Sequence, residues 1–358
     1  MRDYGVLLFG YGLAGRVFHA PLITATPGLT IRAIVTSDPG RQAQARADIP
    51  GVRIHAHTDE AWSTLDGIDL VVIATANITH RPLALQAAAH GRHMVIDKPI
   101  AGTADQARLI ADAARRAGVQ VHSFQNRRWD ADFLTASAIA SSGDLGHLHR
   151  MESRFERFRV SPRNSWREST DPEDLGGVLL DFGAHLVDQA IELLGPIRSV
   201  LALGRSVRLP QAADDDMQIV AQHSNGAVSI LFGSQAAALG GPRLLLCGST
   251  GALRIDAGDT QETALRTGII PGGPDWGLED SEVITSTLVG EDVIERRHRL
   301  LPGRWQEFYP AVLSSVTTKA PAPVPVEHVI ANLEVLDAAR QSVRTGERVT
   351  LRVPAAHD

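Results

Sequence analysis

At 358 residues the chain is longer than one hydrophobic core comfortably fills, so two domains are expected. Its 44% apolar and 21% charged content excludes a disordered or fibrous protein. A net charge of -6, from 41 acidic against 35 basic side chains, excludes the broad cationic footprint of a nucleic-acid binder, and the single cysteine, Cys247, excludes an intrachain disulfide or a cysteine-built zinc cage.

The first apolar run, Val6-Leu7-Leu8-Phe9, follows Asp3 and precedes a glycine pattern rather than a cleavage site, so it reads as a strand and not as a signal peptide. No run of about 18 apolar residues occurs, so no membrane span is expected. With the cysteine usage, this points to the cytoplasm. From Tyr4 to His122, short β-branched runs alternate with amphipathic segments, the pattern of a parallel sheet covered by helices. Expected strands are Gly5 to Phe9, Thr30 to Val35, Arg53 to His55, Leu70 to Ile73, His93 to Ile96 and Val119 to Ser123. Helices are expected at Arg16 to Ile23, Pro82 to Ala89 and Thr103 to Ala117, the last capped by Thr103 and stopped by Gly118.

After residue 123 the rhythm changes. Alternation over His149 to Phe158 and strand-like runs at Ile219 to Ala221, Ala227 to Phe232, Leu244 to Leu246 and Ala252 to Ile255 surround a helical pattern from Val178 to Leu194. A last helix, Glu327 to Arg344, precedes a short strand, Arg348 to Val353. The fold class expected is α/β: a Rossmann-type doubly wound parallel sheet over residues 1–122, then an α+β domain over 123–358 with a large, mostly antiparallel sheet for substrate binding and oligomerisation.

Gly10-Tyr11-Gly12-Leu13-Ala14-Gly15 stands between the first strand and the first helix. Gly10 permits the tight turn, Gly12 lets a pyrophosphate approach the backbone, and Gly15 lets helix and strand pack closely; a glycine turn of this spacing can also have a purely structural job. In its βαβ context it reads as a dinucleotide site. At the end of the second strand, Ser37 with nearby Arg41 suits a 2'-phosphate and favours NADP(H). Moving the strand end by one residue would make Asp38 the ribose ligand and favour NAD(H), and a plain helix-capping role for Ser37 and Arg41 is the other alternative.

Lys98, in Asp97-Lys98-Pro99, follows the apolar strand Met94-Val95-Ile96, at the end where parallel sheets bind ligands. A surface lysine in a turn is the plain alternative. In Gly176 to Asp188, a helix would place Asp181 and His185 one turn apart on one face, an imidazole able to shuttle a proton beside a carboxylate able to orient it, although such pairs are often only structural. His147, His149 and Asp214-Asp215-Asp216 carry metal-binding groups without any pattern that joins them, so no metal is expected, and the three aspartates read as a solvated turn.

Taken in order, the glycine loop, Thr75-Ala76-Asn77-Ile78-Thr79-His80, Asp97-Lys98-Pro99 and the Asp181 to His185 pair resemble the Gfo/Idh/MocA oxidoreductase family over nearly the whole chain. Gln125 to Asp130, Trp166-Arg167-Glu168 and Gly273 to Gly277 are similar to the branch that contains NADP-dependent scyllo-inositol dehydrogenases. Asp97 stands where the family usually has glutamate, and Ala76 where it usually has proline. The resemblance implies hydride transfer between a nicotinamide and a polyol or sugar, in a homodimer or homotetramer. It implies Lys98 and His185 on the reacting oxygen, Asp181 positioning His185, and Thr75, Asn77 and His80 near the nicotinamide half of the cofactor. Arg127, Trp166 and Arg167 would line the substrate pocket. Rival expectations on the same fold are a catalytically silent nucleotide-binding regulator and an enzyme that uses a tightly held nicotinamide only transiently.

Overall fold

The computed structural model describes residues 2–161, 168–169, 171, 174–209 and 212–352. Its contacts group the chain into two compact units, the first comprising Met1–Asn126, Gln261–Trp276 and Arg304–Ile330, the second Arg127–Thr260, Gly277–Gly303 and Ala331–Asp358. A single division at 122/123 assigns one continuous segment to each domain, whereas two later segments join the first unit. An aromatic cluster explains why: Phe124 meets Phe308 edge-on at 5.0 Å, and the Tyr309 hydroxyl lies 2.6 Å from His19 Nδ1.

The first unit runs β1 (Tyr4–Phe9), α1 (Ala20–Thr24), β2 (Leu29–Val35), α2 (Pro39–Asp48), β3 (Arg53–His55), α3 (Thr58–Trp62), β4 (Leu70–Ile73), α4 (Asn77–Ala89), β5 (His93–Asp97), α5 (Ala104–Ala117) and β6 (Val121–Phe124). The strands form one parallel sheet, ordered β3-β2-β1-β4-β5-β6. β4 is Leu-Val-Val-Ile and buried throughout, as a strand covered on both faces must be; each such side chain contributes roughly 1.5–3 kcal/mol relative to exposure. α5 starts where Thr103 accepts a hydrogen bond from the Gln106 amide and stops at Gly118, with φ +67°.

Two helices depart from expectation. α4 begins at Asn77, five residues ahead of the proline taken as its start; Pro82 sits inside the helix and leaves one carbonyl without its usual donor. The segment after the glycine turn is first a π-helix, Leu13–His19, before α1.

The second unit contains α6 (Ala131–Ser142), β7 (Leu148–Glu156), α7 (Val178–Asp181), α8 (Gly183–Leu194), β8 (Ile197–Arg205), β9 (Asp216–His223), β10 (Val228–Ser234), β11 (Leu244–Gly248) and β12 (Gly251–Ile255). It also contains the hairpin β13 (Glu282–Val289) and β14 (Asp292–Arg299), and β15 (Val349–Thr350). They form a nine-stranded sheet, β14-β13-β12-β11-β7-β10-β9-β8-β15, in which only β7 and β10 run parallel. β9 and β10 alternate buried and half-buried side chains, the signature of a sheet with one face on the core. α8, almost wholly buried, packs on β7 and β10. The expected helix from Val178 to Leu194 is in fact interrupted at Phe182.

Candidate active site

Strand register sets the rim of the parallel sheet. Phe9 is level with Val35 and Ile73, and Ile73 with Ile96, so Gly10, Thr36, Ala74 and Asp97 leave the sheet along one carboxyl-terminal rim. This rim spans the β1/β4 switch of direction, where open α/β sheets hold ligands. Gly10, Gly12, Leu13, Ala14, Gly15, Ser37, Arg41, Thr75, Asn77, His80 and Lys98 all lie on it or in the first turns that follow.

The three glycines of the turn do different jobs. A side chain on Gly10, whose φ is +91°, would meet the Ala74 carbonyl oxygen at 2.5 Å, and one on Gly15 would meet the Gly10 carbonyl oxygen at 2.0 Å. Both are closed by backbone. Around Gly12 the nearest atom to such a side chain is an Arg41 guanidinium nitrogen at 3.7 Å, so this α-carbon faces open space beside a cation. Ala14 and Gly15 are buried, while Leu13 is exposed. That arrangement fits a pyrophosphate lying against Gly12 at the start of a helix.

At the end of β2, Ser37 is exposed, and Asp38 caps α2 by accepting the Arg41 amide at 2.9 Å. The capping job suggested for Ser37 and Arg41 is thus carried by the Asp38 carboxylate, and the Arg41 guanidinium extends to the glycine turn.

After β4, the Thr75 and Thr79 hydroxyls are 2.6 Å apart and Asn77 opens α4, buried. His80 is buried, with Nδ1 2.8 Å from the Pro99 carbonyl and Nε2 3.3 Å from the Thr75 carbonyl. Burial lowers its pKa, against the opposing pull of Asp97 and of the two carbonyls. His80 therefore ties the loop after β4 to the loop that carries Lys98. Asp97, one methylene shorter than glutamate, accepts the Lys98 amide at 2.8 Å and shapes the same turn, whose Lys98-Pro99 bond is cis.

In the second unit, Asp181 ends α7, half-buried, and His185 lies in the first turn of α8, 5% exposed. The start of α7 is fixed from below. Asp214 takes the Leu179 amide on its carboxylate at 2.7 Å and the Val178 amide on its carbonyl at 2.9 Å, and a side chain on Gly177 would strike that carboxylate at 2.1 Å. Burial pushes the Asp214 pKa up to about 6. The reading of Asp214 to Asp216 as a solvated turn is corrected: Asp215 is buried against Arg208 at 2.8 Å, and Asp216 pairs with Arg205. Each carboxylate has its own partner.

Arg127 pairs with fully buried Asp130 at 2.9 Å and lies over the Phe155 ring at 4.7 Å. Its neighbour Arg128 is clamped by both oxygens of Asp188, at 2.8 and 2.7 Å. Trp166 and Arg167 lie outside the described residues. Phe155 and Arg243 escaped the sequence reading. Arg243, 6% exposed, lies over the Phe155 ring at 4.1 Å, and Phe155 stands edge-on to His185 at 6.2 Å. Nothing in the local pattern of β7 or of the loop before β11 marks either residue, because their partners come from distant stretches of chain.

Among the described residues no group of three or more His, Cys, Asp or Glu could hold a metal ion, and no helix is long and apolar enough to cross a membrane.

Residues 4–125 match the family model described as an oxidoreductase family, NAD-binding Rossmann fold, and residues 138–351 match its C-terminal alpha/beta domain. The chain is 34% identical to the uncharacterized oxidoreductase YdgJ of Escherichia coli over 345 residues, covering 96% of this chain and 97% of that one. It is 28% identical to the NADP(+)-dependent scyllo-inositol 2-dehydrogenase IolW of Bacillus subtilis, covering 96% and 95%. A solved structure of the YPO2259 putative oxidoreductase from Yersinia pestis superposes with a TM-score of 0.91 at 32% identity, covering 99% and 98%. With both family domains matched in order over most of its length, the chain belongs to the Gfo/Idh/MocA oxidoreductases.

Proposed function

We propose that this oxidoreductase transfers hydride between NADP(H) and a secondary alcohol or ketone of a polyol or sugar, with an inositol-like ring as the leading substrate class. The observation that carries the reading is the glycine turn: Gly10 and Gly15 are closed by backbone, and Gly12 alone is open, beside the Arg41 guanidinium. Arg41 and exposed Ser37 support a 2'-phosphate over a bare ribose, which Asp38, engaged as a helix cap, is less able to bind. Resemblance to the Bacillus enzyme supports the polyol class.

When bound, the nicotinamide supplies the hydride acceptor in oxidation and the donor in reduction. Lys98 would hold the substrate oxygen and stabilise its developing negative charge. His185 would take the hydroxyl proton in oxidation and return it in reduction, with Asp181 orienting the imidazole and contacting a neighbouring hydroxyl. Thr75 and Asn77 would flank the nicotinamide half, with His80 acting through the two loops it joins. Arg127, Trp166 and Arg167 would line the substrate pocket. The reading requires Lys98 and His185 to serve one oxygen. A homo-oligomer in the cytoplasm is the proposed setting.

The test is turnover of an inositol and aldose panel with NADP and with NAD, followed at the reduced-nicotinamide absorbance band. Growth of that band with a polyol, faster with NADP, is expected; a silent panel with both cofactors would overturn the reading.

A further inference from the structure

The second unit holds a buried charged assembly that meets His185 through the Phe155 ring. Arg243 reaches three elements at once. Its Nε is 2.7 Å from Asp132 Oδ2 at the start of α6, an ion-pair contact rather than an aligned hydrogen bond. Its two Nη atoms donate to Ser153 Oγ on β7 at 2.6 Å and to Gln189 Oε1 on α8 at 2.9 Å. Gln189 lies one helical turn beyond His185 on the same face of α8, and its Nε2 donates to the Arg127 carbonyl at 3.0 Å. The rings complete the connection: Arg243 and Arg127 lie over Phe155 at 4.1 and 4.7 Å, and Phe155 presents its edge relation to His185 at 6.2 Å.

A guanidinium that is 6% exposed and a carboxylate that is 1% exposed are costly to desolvate, and such a pair contributes little net stability over a hydrophobic replacement. What it does supply is fixed geometry, because the planar fork of arginine satisfies three partners in one orientation only. The partners chosen here are the strand that carries Phe155 and the helix that carries His185. From this we infer that Phe155 and Arg243 are positioning residues: they set the rotamer of His185 and the course of the chain at Arg127, and touch neither substrate nor cofactor themselves. Phe155 is the contact surface in this set, and Arg243 is its anchor.

This inference rests on the reading of His185 as the proton-transfer group, and its test separates the two. Phe155→Leu removes the ring face while sparing the ion pairs, and Phe155→Tyr keeps the ring. Crystal structures of the wild type and both variants report the His185 side chain, and steady-state kinetics on the best polyol found report kcat and KM. In Phe155→Leu, His185 is expected to occupy more than one rotamer and kcat to fall about tenfold with KM little changed, as for a misplaced rather than a missing group. NADP(H) binding stays as in the wild type, and Phe155→Tyr restores both the single rotamer and kcat. A wild type without turnover would remove the proton-transfer reading, yet the crystal structures would still decide whether Phe155 sets the ring. One unchanged His185 rotamer in Phe155→Leu would overturn the inference, as would a change in KM alone.

Discussion

The rim of the parallel sheet and the buried assembly around His185 are built in two different ways. On the rim the determinants are mostly backbone: the glycine turn, the carbonyls bridged by His80, and the Asp97 carboxylate that closes onto its neighbour's amide. Around His185 they are side chains brought together from α6, β7, α8 and the loop before β11. A backbone site is fixed once the strands pair. A side-chain site depends on every member of a network that took charges out of water to form.

The largest effect expected from this difference concerns Arg243. Arg243→Met leaves the Asp132 carboxylate buried and unpaired, and should cost about 3–5 kcal/mol in urea unfolding. The exposed pair Arg205–Asp216, with its arginine 74% exposed, should lose no more than about 0.5 kcal/mol on Arg205→Ala. Equal small losses would erase the distinction between a buried and a solvated pair.

Next in size are the groups proposed for chemistry. Lys98→Met and His185→Gln should each lower kcat by about a hundredfold or more, while the dissociation constant for NADP(H) changes little. Loss of cofactor binding with turnover unaffected would reverse these roles.

A third effect sharpens the comparison by pH. Burial lowers the pKa of His19 and of His122 to about 4 from 6.5, and neither ring nitrogen of His122 has a hydrogen-bond partner among the described residues. Between those values the unfolded chain binds the extra proton, so stability rises with pH through this window and is lost as pH falls from about 6.5 to about 4. Each histidine contributes up to about 3 kcal/mol of that loss, and His122→Leu should flatten the slope of unfolding free energy against pH. A slope identical to the wild type would show that His122 is not the group responsible.

The contrast also explains what could be read from the chain before any coordinates. Gly10, Gly12, Gly15, Thr103 and Gly118 are local signals, each tied to a turn or a cap within a few residues, and the parallel sheet follows from its uninterrupted apolar strands. Lys98 could be placed at the end of a strand because it directly follows an apolar run, whereas Asp181 and His185, expected one turn apart on a single helix, fall on either side of the break at Phe182, at the end of α7 and in the first turn of α8. Arg243, Asp132 and Phe155 were not, since no spacing relates residues more than twenty positions apart. The same limit hid the return of Trp305 to Tyr309 to the first unit, the buried state of Asp215 and the half-buried state of Asp214. Pro82 misled for the opposite reason: a strong local signal for a helix start lies inside a helix that already begins at Asn77.

The smallest expected effect lies back on the rim. Arg41→Ala should raise KM for NADP about tenfold and leave KM for NAD nearly unchanged, the value of one charge-assisted contact to a 2'-phosphate. Equal shifts for both cofactors would remove Arg41 from the discrimination.

The most direct measurement is a crystal structure of the protein with NADP(H) and a turned-over polyol bound. The account predicts pyrophosphate against the Gly12 backbone, the 2'-phosphate beside Arg41, and Lys98 Nζ and a His185 ring nitrogen on the same substrate oxygen. A complex in which those two groups reach different parts of the substrate, or in which the dinucleotide lies away from the glycine turn, would contradict it.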